Sequence, residues 1–478
     1  MQNIGVKSIS ITILMVLSLF PIVVGLPDDP DQFAMTNDAS ALFAGGSGTV
    51  IDPYRISNVS HLQNMSEDLD AHYILVNDMN ASQTKYWNGG MGFEPVGTDQ
   101  LSPFGGTLNG DGFRIINLSI NRTGYDYIGL FAHVDTGAII ENISLVDCQI
   151  IGDDGVGGII GDNQGGELDN CSVSGNISGM NHIGGMIGSN EDGSVRNSSM
   201  IGNITSSSWY TGGLIGSNRY GNISNCSHSG YVFGSYYTGG LVGANIQAFI
   251  SNSSSIGNVV GDDLVGGLVG KNNYHYNYSI INCFSHGDVS GLDYVGGLIG
   301  SNGVALINCS SSGNVSGDDM VGGLVGYTSG NISDSYAVCN VSGEGAFGGL
   351  ASHGGFGLVK NSYYPVDKVR INGKRCLTYY GIYGDQFDEW LQNKKTLDID
   401  DYLEPNENGS GYNISAIIDM KEMLPFAYYE NHIYEQRGSI DLSSEPGLHI
   451  PVLISGLYDG NGYPIRNMNI SSTRTWIP

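Results

Sequence analysis

The sequence predicts an all-β solenoid, a right-handed parallel β-helix of about eight or nine coils. Three observations predict it. The first is a repeat: the signature Val321-Gly-Gly-Leu-Val-Gly326 has eight consecutive versions, beginning at Val156, Ile183, Thr211, Thr238, Val265, Val295, Val321 and Phe347. The apolar marker after the glycines, from an outlying Leu130 through Ile159, Met186, Leu214, Leu241, Leu268, Leu298 and Leu324 to Leu350, steps by 26 to 30 residues. The second is period. In the unit that runs through Leu306-Ile-Asn-Cys-Ser-Ser-Ser-Gly-Asn-Val-Ser-Gly317, Ile307, Cys309 and Ser311 alternate with Asn308 and Ser310, which is strand and not helix spacing. The third is glycine at fixed offsets, which supplies the positive-φ corners a coil needs. One such unit buries its apolar face only by stacking on the next, and the hand follows from the preference of parallel crossovers.

In chain order, residues 8–26 form the one long apolar run, after Lys7 and ending near the small residue Gly25. It reads as a signal peptide over 1–25, with an uncleaved anchor as the other reading. No later run reaches the ~20 apolar residues that span a bilayer, so no transmembrane helix is expected in the mature chain. A linker (26–47) leads to a small mixed capping module (48–124). There Asp52-Pro-Tyr-Arg-Ile56 reads as strand, and Leu62, Met65 and Leu69 set a helical period over 57–69 with Ser57 or Ser60 as cap. His72 to Asp78 returns to strand. Residues 106–120 give a turn followed by alternation, with Ile116, Leu118 and Ile120 on one face.

The array spans 125–365 and a connecting region 366–411 follows, in which no motif is readable. Residues 412–478 then repeat the capping module in incomplete form. Gly456-Leu-Tyr-Asp-Gly-Asn-Gly-Tyr-Pro-Ile-Arg-Asn-Met-Asn-Ile470 matches 106–120 at a constant offset, with a helical stretch from Ile417 to Leu424 before it. The chain stops at Pro478, where the first copy runs on into its array, so this end reads either as a true end or as an interrupted gene.

With 73 glycines, only 19 lysines and arginines and a formal charge of −28, the surface is acidic. That excludes nucleic acid as a partner, because phosphates demand a basic face. It also disfavours anionic lipid and polyanionic glycans.

The signature Gly-Gly-Leu-Val/Ile-Gly, followed by Asn-Cys-Ser and Gly-Asn-Val-Ser-Gly, resembles the GLUG-motif repeats of large exported surface proteins. The Gly-Ser-Gly-Thr to Asp-Pro-Tyr opening and the Gly-Asp-Gly-Phe turn resemble the capping module such proteins share. The combination looks most like surface proteins of methanogenic archaea. The resemblance implies a β-helical fold and an extracellular or cell-surface location, with a cell-envelope component, a glycan or another surface protein as partner. It implies no chemistry.

Candidate sites stand beside plainer readings. Cys171, Cys226, Cys283 and Cys309 share one repeat position with Ser198, Ser253 and Ser335, which marks a small inward core filler. Cys283 and Cys309 lie on consecutive coils, within disulfide range. Among twenty-one Asn-X-Ser/Thr triplets are Asn142, Asn170, Asn225, Asn308, Asn314 and Asn340; these serve either turns and side-chain ladders or glycosylation. Before Gly-Gly, two coils carry Trp209, Tyr210, Tyr236 and Tyr237, and a long coil inserts Tyr274 and Tyr276. Exposed rings in register bind a glycan or partner, or simply cover the rod. Other coils carry Asp262, Asp263, Asp293, Asp318 and Asp319 there, which stack as a calcium site or stay solvated as good turn residues. No other cofactor is expected.

Catalytic motifs are absent from the sequence. A β-helical polysaccharide lyase or glycoside hydrolase is the alternative to a non-catalytic structural and adhesive protein. Against it, residues 152–350 hold only Arg196, Arg219 and Lys271 as cations.

Overall fold

The computed structural model describes residues 42–273, 278–354, 357–375, 377–393, 395–427, 431–444 and 456–468. Each array rung has four strand segments. One rung consists of Asn181–Gly184 in sheet 1, Ile187–Glu191 in sheet 2, Ser194–Arg196 in sheet 3 and Ser199–Ser206 in sheet 4. All pairings between rungs are parallel, and the four sheets hold 8, 9, 12 and 14 strands among the described residues. The molecule is a parallel β-solenoid.

The rung number differs from the eight or nine expected. Sheet 3 has 12 strands, because Tyr54–Ile56, His72–Leu75 and Thr107–Asn109 of the capping module pair in sequence and then hand over to Ile139–Glu141. These first rungs lack the full Gly-Gly-Leu-Val/Ile-Gly signature, so a count of that marker passes over them.

The marker residues form one continuous interior column: Leu130, Ile159, Met186, Leu214, Leu241, Leu268, Leu298, Leu324 and Leu350 are all fully buried. The double glycine follows from what surrounds it. A Cβ on Gly266 would strike the carbonyl of Val269 in its own rung. One on Gly267 would strike the carbonyl of Gly297 in the next rung and come within 2.9 Å of the Ser285 side chain. The rung is too thin there for any side chain.

Two expectations shift by one residue. Leu306, not Ile307, is buried beside Cys309 and Ser311, and Ile115, not Ile116, is buried beside Leu118 and Ile120. In each case an asparagine in the left-handed region, Asn308 (φ 49°) or Asn117 (φ 62°), turns the chain between two strands. That corner resets the alternation. The helix at 59–63 forms, but its cap is Asn58, whose side chain accepts from the His61 amide at 2.9 Å, and not Ser57 or Ser60.

The C-terminal region refolds the module it repeats. Tyr412–Ile414, Ile433–Gln436 and Leu457–Asp459 pair in parallel as their counterparts do, and the helix Ile417–Glu422 matches Val59–Gln63. Asn461, Gly462 and Asn467 take the positive φ of Asp111, Gly112 and Asn117. In the connecting region, the helix Gly384–Asn393 seats Phe387 and Trp390 against Tyr336 and Tyr363 near the end of the array. Its Trp390 indole donates to Asn361 at 2.7 Å. No helix among the described residues is long and apolar enough to cross a membrane.

Candidate functional site

The chemistry-bearing columns run along sheet 1. Trp209 pairs in register with Tyr236, and one rung on Asp263 pairs with Asp293 and Asp293 with Asp319. The next residue of each rung forms a second column: His182, Tyr210, Tyr237, Leu264, Tyr294 and Met320. Every one of these has φ between 52° and 62°, a conformation that is rare for bulky residues. It recurs at the sharp bend just before the double glycine, and it lays successive side chains over one another. His182 stacks on Tyr210 at 4.6 Å between centroids, and Tyr210 on Tyr237 at 5.0 Å. Trp209 lies 6.0 to 6.2 Å from Tyr210, Tyr236 and Tyr237. Five rings on three rungs thus form one platform, whose most open members are Trp209 and Tyr236, 48% and 39% exposed. Tyr274 and Tyr276 lie outside the described residues.

The platform has neighbours that sequence reasoning missed. Lys271 Nζ lies 5.0 Å from the Tyr237 ring centre. Burial and the Tyr237 hydroxyl push the Tyr210 phenol up, and the Arg219 charge pulls it back down. On the other flank, Asn181 accepts from the Trp209 amide and donates to Asp154 at 2.6 Å. The sign that was available in the sequence was that two of the three cations in 152–350 fall within nine residues of an aromatic pair or in the rung that follows one.

The aspartates form less of a ladder than expected. Asp263, Asp293 and Asp319 are in register, but Asp262 and Asp318 sit one position earlier with Leu292 between them, bonded through Leu292 N to Asp262 O and Asp318 N to Leu292 O. Asp262 also accepts from Ser235 at 2.5 Å. Burial first, then the charges of Asp263, Asp319 and Asp318, raises the Asp293 carboxyl above the ordinary aspartate value. Among the described residues no three His, Cys, Asp or Glu side chains gather as metal ligands.

Asparagine plays three parts. The corner residues Asn142, Asn170, Asn225 and Asn308 each donate to the side chain of the rung before, at 2.7 to 3.1 Å. Asn314 accepts from Asn340 at 3.1 Å in a second outer column. The third part is a wholly buried ladder that the sequence reading did not isolate: Asn163, Asn190, Asn218, Asn245, Asn272 and Asn302, joined Nδ2 to Oδ1 at 2.7 to 3.1 Å. Its signal was an asparagine at constant distance after the double glycine.

The cysteine position behaves as a small inward filler. Ser198 Oγ accepts from the Cys171 amide at 3.1 Å, and Cys309 Sγ accepts from the Cys283 amide at 3.4 Å in the same way. The six cysteines among the described residues are buried thiols, Cys283 and Cys309 among them. Burial pushes the Cys171 thiol up to about 12, so it is unreactive. A buried pair, His133 and Asp162 at 3.3 Å, lies under the Tyr127 ring, with Gln164 donating to the same carboxylate.

The model for the GLUG motif matches residues 152–178 and 207–230. The array carries GLUG motifs. A 140-residue stretch is 41% identical to halomucin from Haloquadratum walsbyi, covering 28% of this chain and 2% of that protein. A stretch of the same length is 40% identical to a Gly-rich membrane protein from Evansella cellulosilytica, covering 28% and 16%. The chain thus matches a small part of each of these relatives. In solved structures, an immunoglobulin A1 protease from Bacteroides ovatus aligns over 77% of this chain and 94% of its own, at 17% identity and a TM-score of 0.34; a likeness of that size carries no argument about activity.

Proposed function

We propose that this chain is an exported surface protein whose GLUG-bearing solenoid acts as a structural and adhesive rod, without catalysis. One observation carries the reading. From Tyr54 to Lys360 the rungs of sheet 3 follow one another in register, and what they offer to solvent is columns of like-placed side chains and not a converging set. A cavity among the described residues, lined by Val359, Asn361, Tyr363, Tyr380, Ile382 and Pro425, is about 40 Å³, room for a water but not for a sugar ring. Arg196, which a lyase would need free, is bound by Glu167 at 2.9 Å and Asp169 at 3.5 Å. Similarity to halomucin and to a membrane-associated glycine-rich protein supports a place at the cell surface.

The test is protease shaving of intact cells that express the tagged full chain. Cleavage of array epitopes without lysis is the expected result; protection until the cells are broken sinks the surface reading. Incubation of the purified chain with polysaccharides should release neither new reducing ends nor unsaturated uronates. Release of either restores the glycan-active alternative.

A further inference from the structure

The five-ring platform on sheet 1 combines two features that together select a ligand class. The first is open ring area. Trp209 and Tyr236 are 48% and 39% exposed on adjacent rungs, about 4.8 Å apart along the rod, and they are held from behind by the His182–Tyr210–Tyr237 stack. An aromatic surface of this kind is costly to leave in water unless something covers it.

The second is the mixed flank. Lys271, 5.0 Å from the Tyr237 ring, brings donors to the platform. Asp154, through Asn181 on the rung before Trp209, and Asp263, on the rung after Tyr236 by the register Thr238 to Val265, bring acceptors to the two ends of the column. A polyanion meets Asp154 and Asp263; a polycation meets Lys271. An uncharged molecule with an apolar face and a rim of hydroxyl groups meets no like charge and satisfies both kinds of flank, because a hydroxyl donates and accepts.

We infer that the platform formed by Trp209, Tyr236, Tyr210 and Tyr237 is a binding site for a neutral carbohydrate, whose ring faces lie on Trp209 and Tyr236 and whose hydroxyls reach Lys271 and Asp263. The inference gives a ligand class to the adhesive role proposed above and rests on that reading.

The test uses the full chain on an array of neutral oligosaccharides (hexoses, pentoses and N-acetylhexosamines), uronate oligosaccharides and an oligolysine peptide. The expected result is binding to a neutral member that weakens at least about tenfold, or ~1.4 kcal/mol, in Trp209→Asp/Tyr236→Asp. Aspartate already stands in this column at Asp263, Asp293 and Asp319, so that variant keeps the rung. Trp209→Phe/Tyr236→Phe should bind within about threefold of the parent chain, since a ring remains. Preference for uronates or oligolysine, binding to no neutral member, or equal binding by the aspartate variant overturns the inference. Shaving of cells reports separately: a chain that binds glycan but stays protected sinks the surface reading alone.

Discussion

The interior of the rod is not uniformly apolar, and His228 is where that matters most. It is 1% exposed, its Nε2–H donates to the Gly202 carbonyl at 3.2 Å, and Nδ1 has no partner. Burial pushes its pKa down to about 4. The unfolded chain takes up a proton near pH 6.5 but the folded rung does not until near pH 4. The stability this histidine gives is therefore complete above pH 6.5 and is lost as pH falls from there toward 4, by roughly 3 kcal/mol in all. His228→Ser, copying its neighbour Ser255 in register, should shrink the drop in melting temperature between pH 7 and pH 4.5. An unchanged drop would place the acid sensitivity elsewhere. Asp293 works with the opposite sign. Its carboxyl is raised by burial and by Asp263 and Asp319, so ionisation disfavours the folded state. Asp293→Asn should raise the melting temperature at pH 7, with the gain fading at acid pH. If the column instead takes up calcium, the ion will stabilise the parent chain by mass action and stabilise an Asp263→Asn/Asp293→Asn/Asp319→Asn variant less.

Between residue and molecule the unit is the ladder, and the asparagine ladders divide sharply by environment. Asn245 is fully buried, accepts from Asn218 and donates to Asn272 and to the Ala248 carbonyl. Asn245→Ala leaves the Asn218 amide and the Asn272 and Ala248 carbonyls without those bonds inside the rod. The loss of these three bonds should cost about 3 kcal/mol in denaturant unfolding. At the outer corner, Asn282 is held for its backbone (φ 55°) as much as for its bonds to Asn252 and Asn308. Asn282→Gly should cost under about 1 kcal/mol, because glycine takes that conformation freely. A larger loss at 282 than at 245 would overturn this division. The corners also show where sequence reading ran out. The double glycine, the marker leucines and the Cys/Ser position were legible because each repeats as a residue type at fixed spacing. The one-residue slip at Ile307 was not, since strand alternation carries no warning that Asn308 will turn left-handed. Nor was the buried ladder, because asparagine in a glycine-rich repeat is expected at turns and exposed.

Across the whole molecule, stability is a sum over rungs and their contacts with neighbours, and the core is divided accordingly. The array and first module share one hydrophobic cluster, which runs from Phe43 to Ile371, while the repeated module has its own around Ile414, Met420, Phe426 and Tyr434. That the C-terminal strands repeat the parallel pairings of the first module was legible from the constant offset to residues 106–120. That the first module's strands belong to the rod was not, because pairing across rungs leaves no mark on the sequence of either strand. The divided core makes a prediction. Leu298 is fully buried in the marker column, and its amide and carbonyl bond to Leu324 and Leu268. Leu298→Asp buries an unpaired carboxylate, at a cost of several kcal/mol. A two-state globule would lose protection everywhere at once. A stack loses it where the rung fails and regains it where neighbours suffice. Hydrogen exchange on the variant should therefore show fast exchange centred on the rungs of Leu268, Leu298 and Leu324, with the first module and the cluster around Tyr434 still protected. Uniform loss of protection, including Ile433–Gln436, would mean that the repeated module has no stability of its own and that the two clusters fold as one.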